Sequence, residues 1–213
     1  MTTSSAATSK LLVVEGASDE HAVFHLCKRA QPGLEQSFSI RDAKSLQGVL
    51  NTVGVLVKQP GLTAVGFIVD ADTHAQNHWN AVLQRIITAN SGIQPPQVFR
   101  SNGTIIAENP NIGSPRIGIW VMPDNATTGE LEDFVVQMVP STDPVWPMAR
   151  AYINGLPRPW KFASNKITKA EVHAWLSASK HPGLIGLAIR DGDLVVNNPL
   201  CQRFLAWLNR LFN

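Results

Sequence analysis

The chain is poor in cysteine, in charge and in tyrosine. Its two cysteines, Cys27 and Cys201, lie far apart among 213 residues and form no Cys-x-x-Cys. That spacing excludes a disulfide framework and a cysteine-built zinc cluster. Charged residues make up 16% and the net charge is 18 − 16 = +2. Binding to an anionic polymer through bulk charge is thereby excluded, although a local basic groove is not. No apolar run approaches the roughly 20 residues of a membrane span. The polar start, Met1 to Ser9, has neither the basic nor the apolar region of a signal peptide. These absences lead us to expect a soluble protein of the reducing cytoplasm, without a membrane partner. There is also no Gly-x-Ser-x-Gly elbow, no Gly-x-Gly-x-x-Gly fingerprint and no phosphate loop ending in Lys-Ser/Thr.

What is present is ordinary globular apolar content, 44% of the chain, which excludes wholesale disorder. Short continuous apolar runs at Lys10–Val14, Ala64–Val69 and Ile117–Met122 read as strands buried on both faces. Phe38–Arg41 reads as a shorter strand. Helical spacing of apolar residues predicts helices after Gly16, over Leu46–Val53, from His74 to about Ala89 and over Glu130–Val139. Two more are predicted around 168–178 and 199–212. Residues 141–165, rich in Pro and Trp, give no clear pattern. The alternation of strand and helix predicts an α/β fold with a mainly parallel sheet flanked by helices, Rossmann-like in plan. The expected division is a flexible tail over 1–9, an α/β domain over 10–165, and a helical C-terminal extension over 166–213 packed on the same domain.

Three of the apolar runs end in carboxylates: Glu15, Asp70 with Asp72, and Asp124. Parallel strands would bring these acids to one sheet edge, the edge where ligands bind in such folds. Crowded carboxylates raise one another's pKa, and a hard divalent cation such as Mg2+ or Mn2+ relieves that cost. Asp-x-Asp just past a strand end lets alternate side chains reach one ion. Asp19, in the first turn after Gly16, can turn back to the same edge. Glu130, Glu132 and Asp133 follow Asp124 after a glycine turn and can add a ligand. Taken singly, these residues have blander roles as turn formers, helix caps or solvated faces. The histidine pairs His21/His25 and His74/His78 stand four apart, but Ala22 and Ala75 occupy the place of the glutamate in a His-Glu-x-x-His motif. They support only a minor zinc reading, and His74 is alternatively a contact for substrate phosphate. Cys27 reads as core, and Trp79 and Trp160 are the tryptophans whose exposure matters. Arg41, Lys44, Arg85, Arg100 and Arg116 are candidates for a backbone groove.

The segments LLVVEGASDE and GFIVDAD together resemble the two motifs of the Toprim domain: an apolar strand ending in Glu-Gly, then one ending in Asp-x-Asp. IGIWVMPDNATTGELEDFV resembles small stand-alone Toprim-like proteins of bacteria and archaea without an assigned function. The resemblance covers most of residues 10–180. It implies a Toprim-like fold and a magnesium-dependent nuclease, a hydrolase acting on DNA or RNA. By the same resemblance, Glu15 is a metal ligand or general acid/base, and Asp70 and Asp72 bind Mg2+. Asp19 matches the overcoming-lysogenization-defect nucleases, which also carry later acids and a lysine. Glu130 or Glu132 and Lys166 or Lys169 are the loose counterparts here. The strand-end acids and the resemblance together lead us to expect Glu15, Asp70, Asp72 and Lys166 in catalysis, and Glu15, Asp19, Asp70, Asp72, Asp124 and Glu132 on the metal. The chain departs from topoisomerases, since its single tyrosine, Tyr152, lacks their additional domains. It has no primase zinc module and no ATPase domain of its own, which points to a partner protein such as an ATPase. The alternative is a catalytically silent metal-binding regulatory module acting with a protein partner.

Overall fold

The computed structural model describes residues 9–213, so the tail expected over 1–9 lies, Ser9 apart, outside the described residues. The strands are β1 (Lys10–Val14), β2 (Ser39–Asp42), β3 (Ala64–Asp70), β4 (Thr104–Ile106) and β5 (Arg116–Met122). The helices are α1 (Ala17–Ala30), α2 (Leu46–Leu56), α3 (Ala75–Ala89), α4 (Leu131–Val136), α5 (Val145–Asn154), α6 (Ile167–Leu176), α7 (Ile185–Asp191) and α8 (Pro199–Phe212). One sheet runs in the order β2-β1-β3-β5-β4. Its first four strands are parallel, and β4 is antiparallel to β5. The fold is thus α/β, with a mostly parallel sheet flanked by helices and closed by a C-terminal helix.

The continuous apolar runs are explained by coverage of both faces. Successive strand residues point to opposite sides. Leu11, Val13, Val65, Phe67, Val69, Ile117, Ile119 and Val121 pack with α2 and α3. Leu12, Val14, Ile68, Trp120 and Met122 pack with α1 and α8, and this core continues into α4, α6 and α7. Cys27 and Cys201 are both buried and free. Burial pushes both thiols up to about 12, so they are inert apolar filling.

α8 starts where the residues dictate. Asn198 accepts a hydrogen bond from the Cys201 N–H at 2.8 Å, and Pro199 takes the first helical position. The expected stripe Leu200, Phe204, Trp207, Leu208 and Leu211 is buried throughout. It lies directly on the sheet because two glycines, Gly66 and Gly118, stand side by side in the β3–β5 register. A Cβ at Gly66 would sit 2.7 Å from Leu211 Cδ2, and one at Gly118 would sit 2.6 Å from the same atom. The missing side chains form the trough that α8 fills. Trp207 donates from Nε1 to the Thr104 carbonyl at 3.0 Å, which ties α8 to the edge strand.

Three elements have no counterpart in the sequence reading. β4 is only three residues long and α7 only seven, too short for periodicity to register. α5 lies within the unread stretch, yet Asp143-Pro144 marks its start. Asp143 Oδ1 accepts from the N–H groups of Val145 and Trp146 at 2.9 and 2.8 Å, and from Trp175 Nε1 at 3.1 Å. Asp143→Ala is expected to cost about 1–2 kcal/mol, because it removes a cap and strands the indole N–H. Urea unfolding followed by circular dichroism checks this, and an unchanged midpoint would show that the cap is dispensable.

Candidate functional site

From β1 the chain passes through α1 to β2 on one side, and from β2 through α2 it crosses to β3 on the other. The sheet order therefore reverses between β1 and β3, and the crevice beyond their C-terminal ends is the ligand position of open α/β sheets. Glu15 leaves β1 at that point, and Asp70 is the last residue of β3. Glu15 Oε1 accepts from the Asp70 N–H at 2.9 Å, which locks the two strand ends together. On the far side His78 Nδ1–H donates to the Asp70 carbonyl at 2.5 Å. Asp19, in the first turn of α1, folds back over Gly16, and its carboxylate would lie 3.3 Å from a Cβ there. It is 7% exposed.

α4 approaches the same edge, and Glu130 just before it and Glu132 in its first turn are both buried. Burial first, then Asp19, Glu15, Glu130 and Glu132, push the Asp70 carboxyl up to about 9. Burial first, then Glu15 and Glu132, push Asp19 up to about 7. Glu15 is also raised, mainly by burial and against the pull of its bond from Asp70, with Asp72 adding repulsion. Among the described residues no lysine, arginine or histidine forms an ion pair with Glu15, Asp19 or Asp70.

The other half of the cluster is crossed by cations from α6 and the turn before it. Lys166 Nζ binds Asp72 at 2.9 Å and Glu130 at 3.2 Å. Lys169 Nζ binds Glu130 at 3.2 Å and Glu132 at 3.0 Å. His173, one turn further along α6, stands 3.4 Å from Glu132. Burial opposes both lysine charges, but the carboxylates prevail and raise both lysines above their ordinary value. Burial alone would raise Glu132, and His173 and Lys169 together hold it lower. The sequence reading missed His173, although Lys169-x-x-x-His173 is the spacing of one helical face.

Asp72 does not simply repeat Asp70. Its backbone is left-handed at φ 46°, a conformation aspartate tolerates. It pairs with Gly129 through two backbone hydrogen bonds of 2.8 and 2.9 Å. This bridge turns Asp72 toward Lys166 and pins the loop before α4 to the end of β3. Asp124 is drawn elsewhere, since its Oδ1 accepts from the Ala126 and Thr127 N–H groups and the Thr127 hydroxyl, at 3.0, 2.8 and 3.0 Å. That is a turn former's role. Asp133 likewise accepts from the Glu130 N–H at 2.9 Å, as a cap.

The remaining candidates are scattered. Arg116 begins β5, at the opposite edge of the sheet, and pairs with Glu108 at 2.8 Å. Lys44 pairs with Asp42 at 2.5 Å. Arg41, Arg85 and Arg100 are exposed on separate elements. His74 bonds to its neighbour Thr73, and the buried Nδ1 of His25 has no hydrogen-bond partner among the described residues. Trp79 is buried, donating to Thr104 Oγ1 at 2.8 Å. Trp160 is half-buried, with Arg158 3.9 Å from its ring centre and Phe162 stacked beside it.

Among the described residues no three His, Cys, Asp or Glu side chains close on one point as a finished metal site. The donor chemistry nevertheless fits a hard cation. Glu15, Asp19 and Asp70 are oxygen donors at one edge, all raised, and none forms an ion pair among the described residues. Among the described residues, no helix is long and apolar enough to cross a membrane. No curated protein and no solved structure matches the chain. A family model described as "protein of unknown function (DUF3226)" matches residues 9–213, which take in every strand and helix of the fold and every acid of the cluster. By that match the chain belongs to the DUF3226 family.

Proposed function

We propose that the protein is a Toprim-like, Mg2+- or Mn2+-dependent nuclease that hydrolyses nucleic-acid phosphodiesters. The observation that carries this reading is the split of the acid cluster. Among the described residues Glu15, Asp19 and Asp70 form no ion pair, and they stand beside Lys166 and Lys169, which are tied to Asp72, Glu130 and Glu132. Glu15, Asp19 and Asp70 would hold the cation, with Asp72 as a further ligand once Lys166 releases it. The bound cation would neutralise charge at the phosphate and lower the pKa of a bound water.

The chain's own residues then have defined tasks. Glu15 fixes the strand ends by accepting from the Asp70 N–H. Lys166 and Lys169 place two ammonium groups beside the acids, where they stabilise charge building on the phosphate oxygens. Glu130 and Glu132 hold those lysines in position. The cytoplasm and an ATPase partner belong to this same proposal.

A specific observation favours a second reading. The two lysines already pair with three of the acids, as a silent regulatory module would require. A cleavage assay on plasmid DNA, single-stranded DNA and structured RNA, with Mg2+ or Mn2+, separates the two. The nuclease reading expects cutting that Asp70→Asn abolishes. It also expects Lys166→Met to lower the rate about 100-fold or more while the metal-induced rise in melting temperature persists. Metal-induced stabilisation without cutting of any substrate would establish the silent module instead.

A further inference from the structure

Behind the Asp72–Gly129 bridge lies a cavity of about 710 Å3 that shares two walls with the acid cluster. One shared wall is the loop from Pro123 to Thr128, which runs directly into Glu130. The other is the start of α6, where Thr168 lines the cavity and the next residue, Lys169, binds Glu130. The floor is the start of α8, and the far side is α5. The volume is that of a pocket for one small ligand.

Its lining divides into spent and unspent groups. The three acids are spent: Asp124 in its turn, Asp133 on the Glu130 N–H, and Glu171 on Arg150 at 3.6 Å and Asn154 at 3.1 Å. The unspent groups are donors. Arg203 is exposed and has no partner among the described residues. Arg150 approaches Glu171 at 3.6 Å from Nε, and its guanidinium makes no hydrogen bond among the described residues. The Thr128 and Thr168 hydroxyls have no partner among the described residues. Trp146 packs edge-on against Trp175, with ring centres 6.5 Å apart, and its half-buried ring also lines the cavity wall formed by α5.

We propose that this cavity binds one nucleotide of the substrate strand, next to the phosphate that is cut. Arg203 and Arg150 take its backbone phosphate, and Trp146 takes its base. The inference rests on the nuclease reading and deepens it. Unspent guanidinium and hydroxyl donors suit a phosphate, and a tryptophan in the same cavity suits an unpaired base. A base must leave its stack to enter, so the substrate is single-stranded at this point.

Fluorescence anisotropy tests this with a labelled single-stranded DNA oligonucleotide and an RNA of the same sequence, in EDTA, across a salt series. Arg203→Ala is expected to weaken binding about tenfold and to lower the salt slope by about one. Arg150→Ala should act the same way, more weakly. Trp146→Leu should weaken binding about tenfold at an unchanged slope, with Trp146→Phe restoring it. Lys58→Ala, just after α2 across the sheet, should bind like the wild type. Tighter binding of one polymer, lost in Arg203→Ala, identifies the strand as DNA or RNA. Wild-type affinity and slope in both Arg203→Ala and Trp146→Leu overturn the inference. Metal-dependent cleavage that persists in that case leaves the nuclease reading standing. Absence of both binding and cleavage in the wild type removes both.

Discussion

Asp70→Asn is expected to make the metal-free protein more stable, by about 2 kcal/mol at pH 8. The carboxyl of Asp70 is pushed up to about 9, against an ordinary 3.8. From about pH 4 to about pH 9 the folded chain therefore holds a proton that the unfolded chain has released. Stability is then full at the acidic end of that window and falls as pH rises toward 9. Asp19, pushed up to about 7, adds to the fall in its lower part. An amide at position 70 does not titrate and does not repel Glu15 or Asp19. The gain stays near 2 kcal/mol because the neighbouring acids share the proton uptake. At 2–4 °C per kcal/mol it appears as a melting temperature about 4–8 °C higher at pH 8 in EDTA, with little change near pH 4.

Divalent cation should reverse the order. Mg2+ or Mn2+ raises the wild-type melting temperature more at pH 8 than at pH 6, because its ligands must first lose their protons. The variant should respond weakly or not at all. Thermal unfolding over a pH series, with EDTA and with Mg2+, measures both effects. Equal melting temperatures for wild type and Asp70→Asn at pH 8 in EDTA would show that Asp70 is not held against uncompensated neighbours.

Gly118→Val is expected to destabilise the fold by about 3 kcal/mol, or about 6–12 °C. A Cβ at this position meets Leu211 Cδ2 at 2.6 Å and Trp207 Cζ2 at 2.9 Å. Neither neighbour can move aside. Both are fully buried, and Trp207 is held at once by Thr104 and by ring contacts with Trp120 and Phe204. The high strand propensity of valine does not offset a clash in a close-packed layer. α8 must lift from the sheet, which opens the core on that face. Urea unfolding gives the loss directly, and a midpoint within 0.5 kcal/mol of wild type would show that α8 tolerates a side chain there. Gly54→Ala serves as the contrast. Its Cβ meets only Ala89 Cβ, at 3.9 Å, and it should be neutral or slightly stabilising.

The central strands and the long helices were legible because their signal is local. Lys10–Val14 and Ile117–Met122 are continuous apolar runs, and α8 carries its own cap, proline and stripe. The carboxylates at the strand ends were legible for the same reason, and the sheet brings Glu15, Asp19 and Asp70 together as the parallel arrangement requires. Asp124 looked equivalent in sequence, but a strand ending does not record whether the carboxylate turns toward the edge or into its own loop. Here three donors within three residues hold it in the loop. α7 and β4 were invisible because short elements have too few residues for a period, and α5, as long as α6, was hidden by the Pro- and Trp-rich stretch around it.

The amino-acid order by itself determined the parallel α/β plan, the burial of both sheet faces and the pool of acids at the strand ends, since each follows from patterns within one segment. The pairing of those acids was decided only by the tertiary structure. Lys166 lies 94 residues from Asp72 and 36 from Glu130, and no local pattern specifies such a contact. The close seat of α8 on Gly66 and Gly118, and the cavity between α5, α6 and α8, were decided in the same way. Charge pairing and cavity shape depend on which surfaces meet, and that is settled only when the helices close over the sheet.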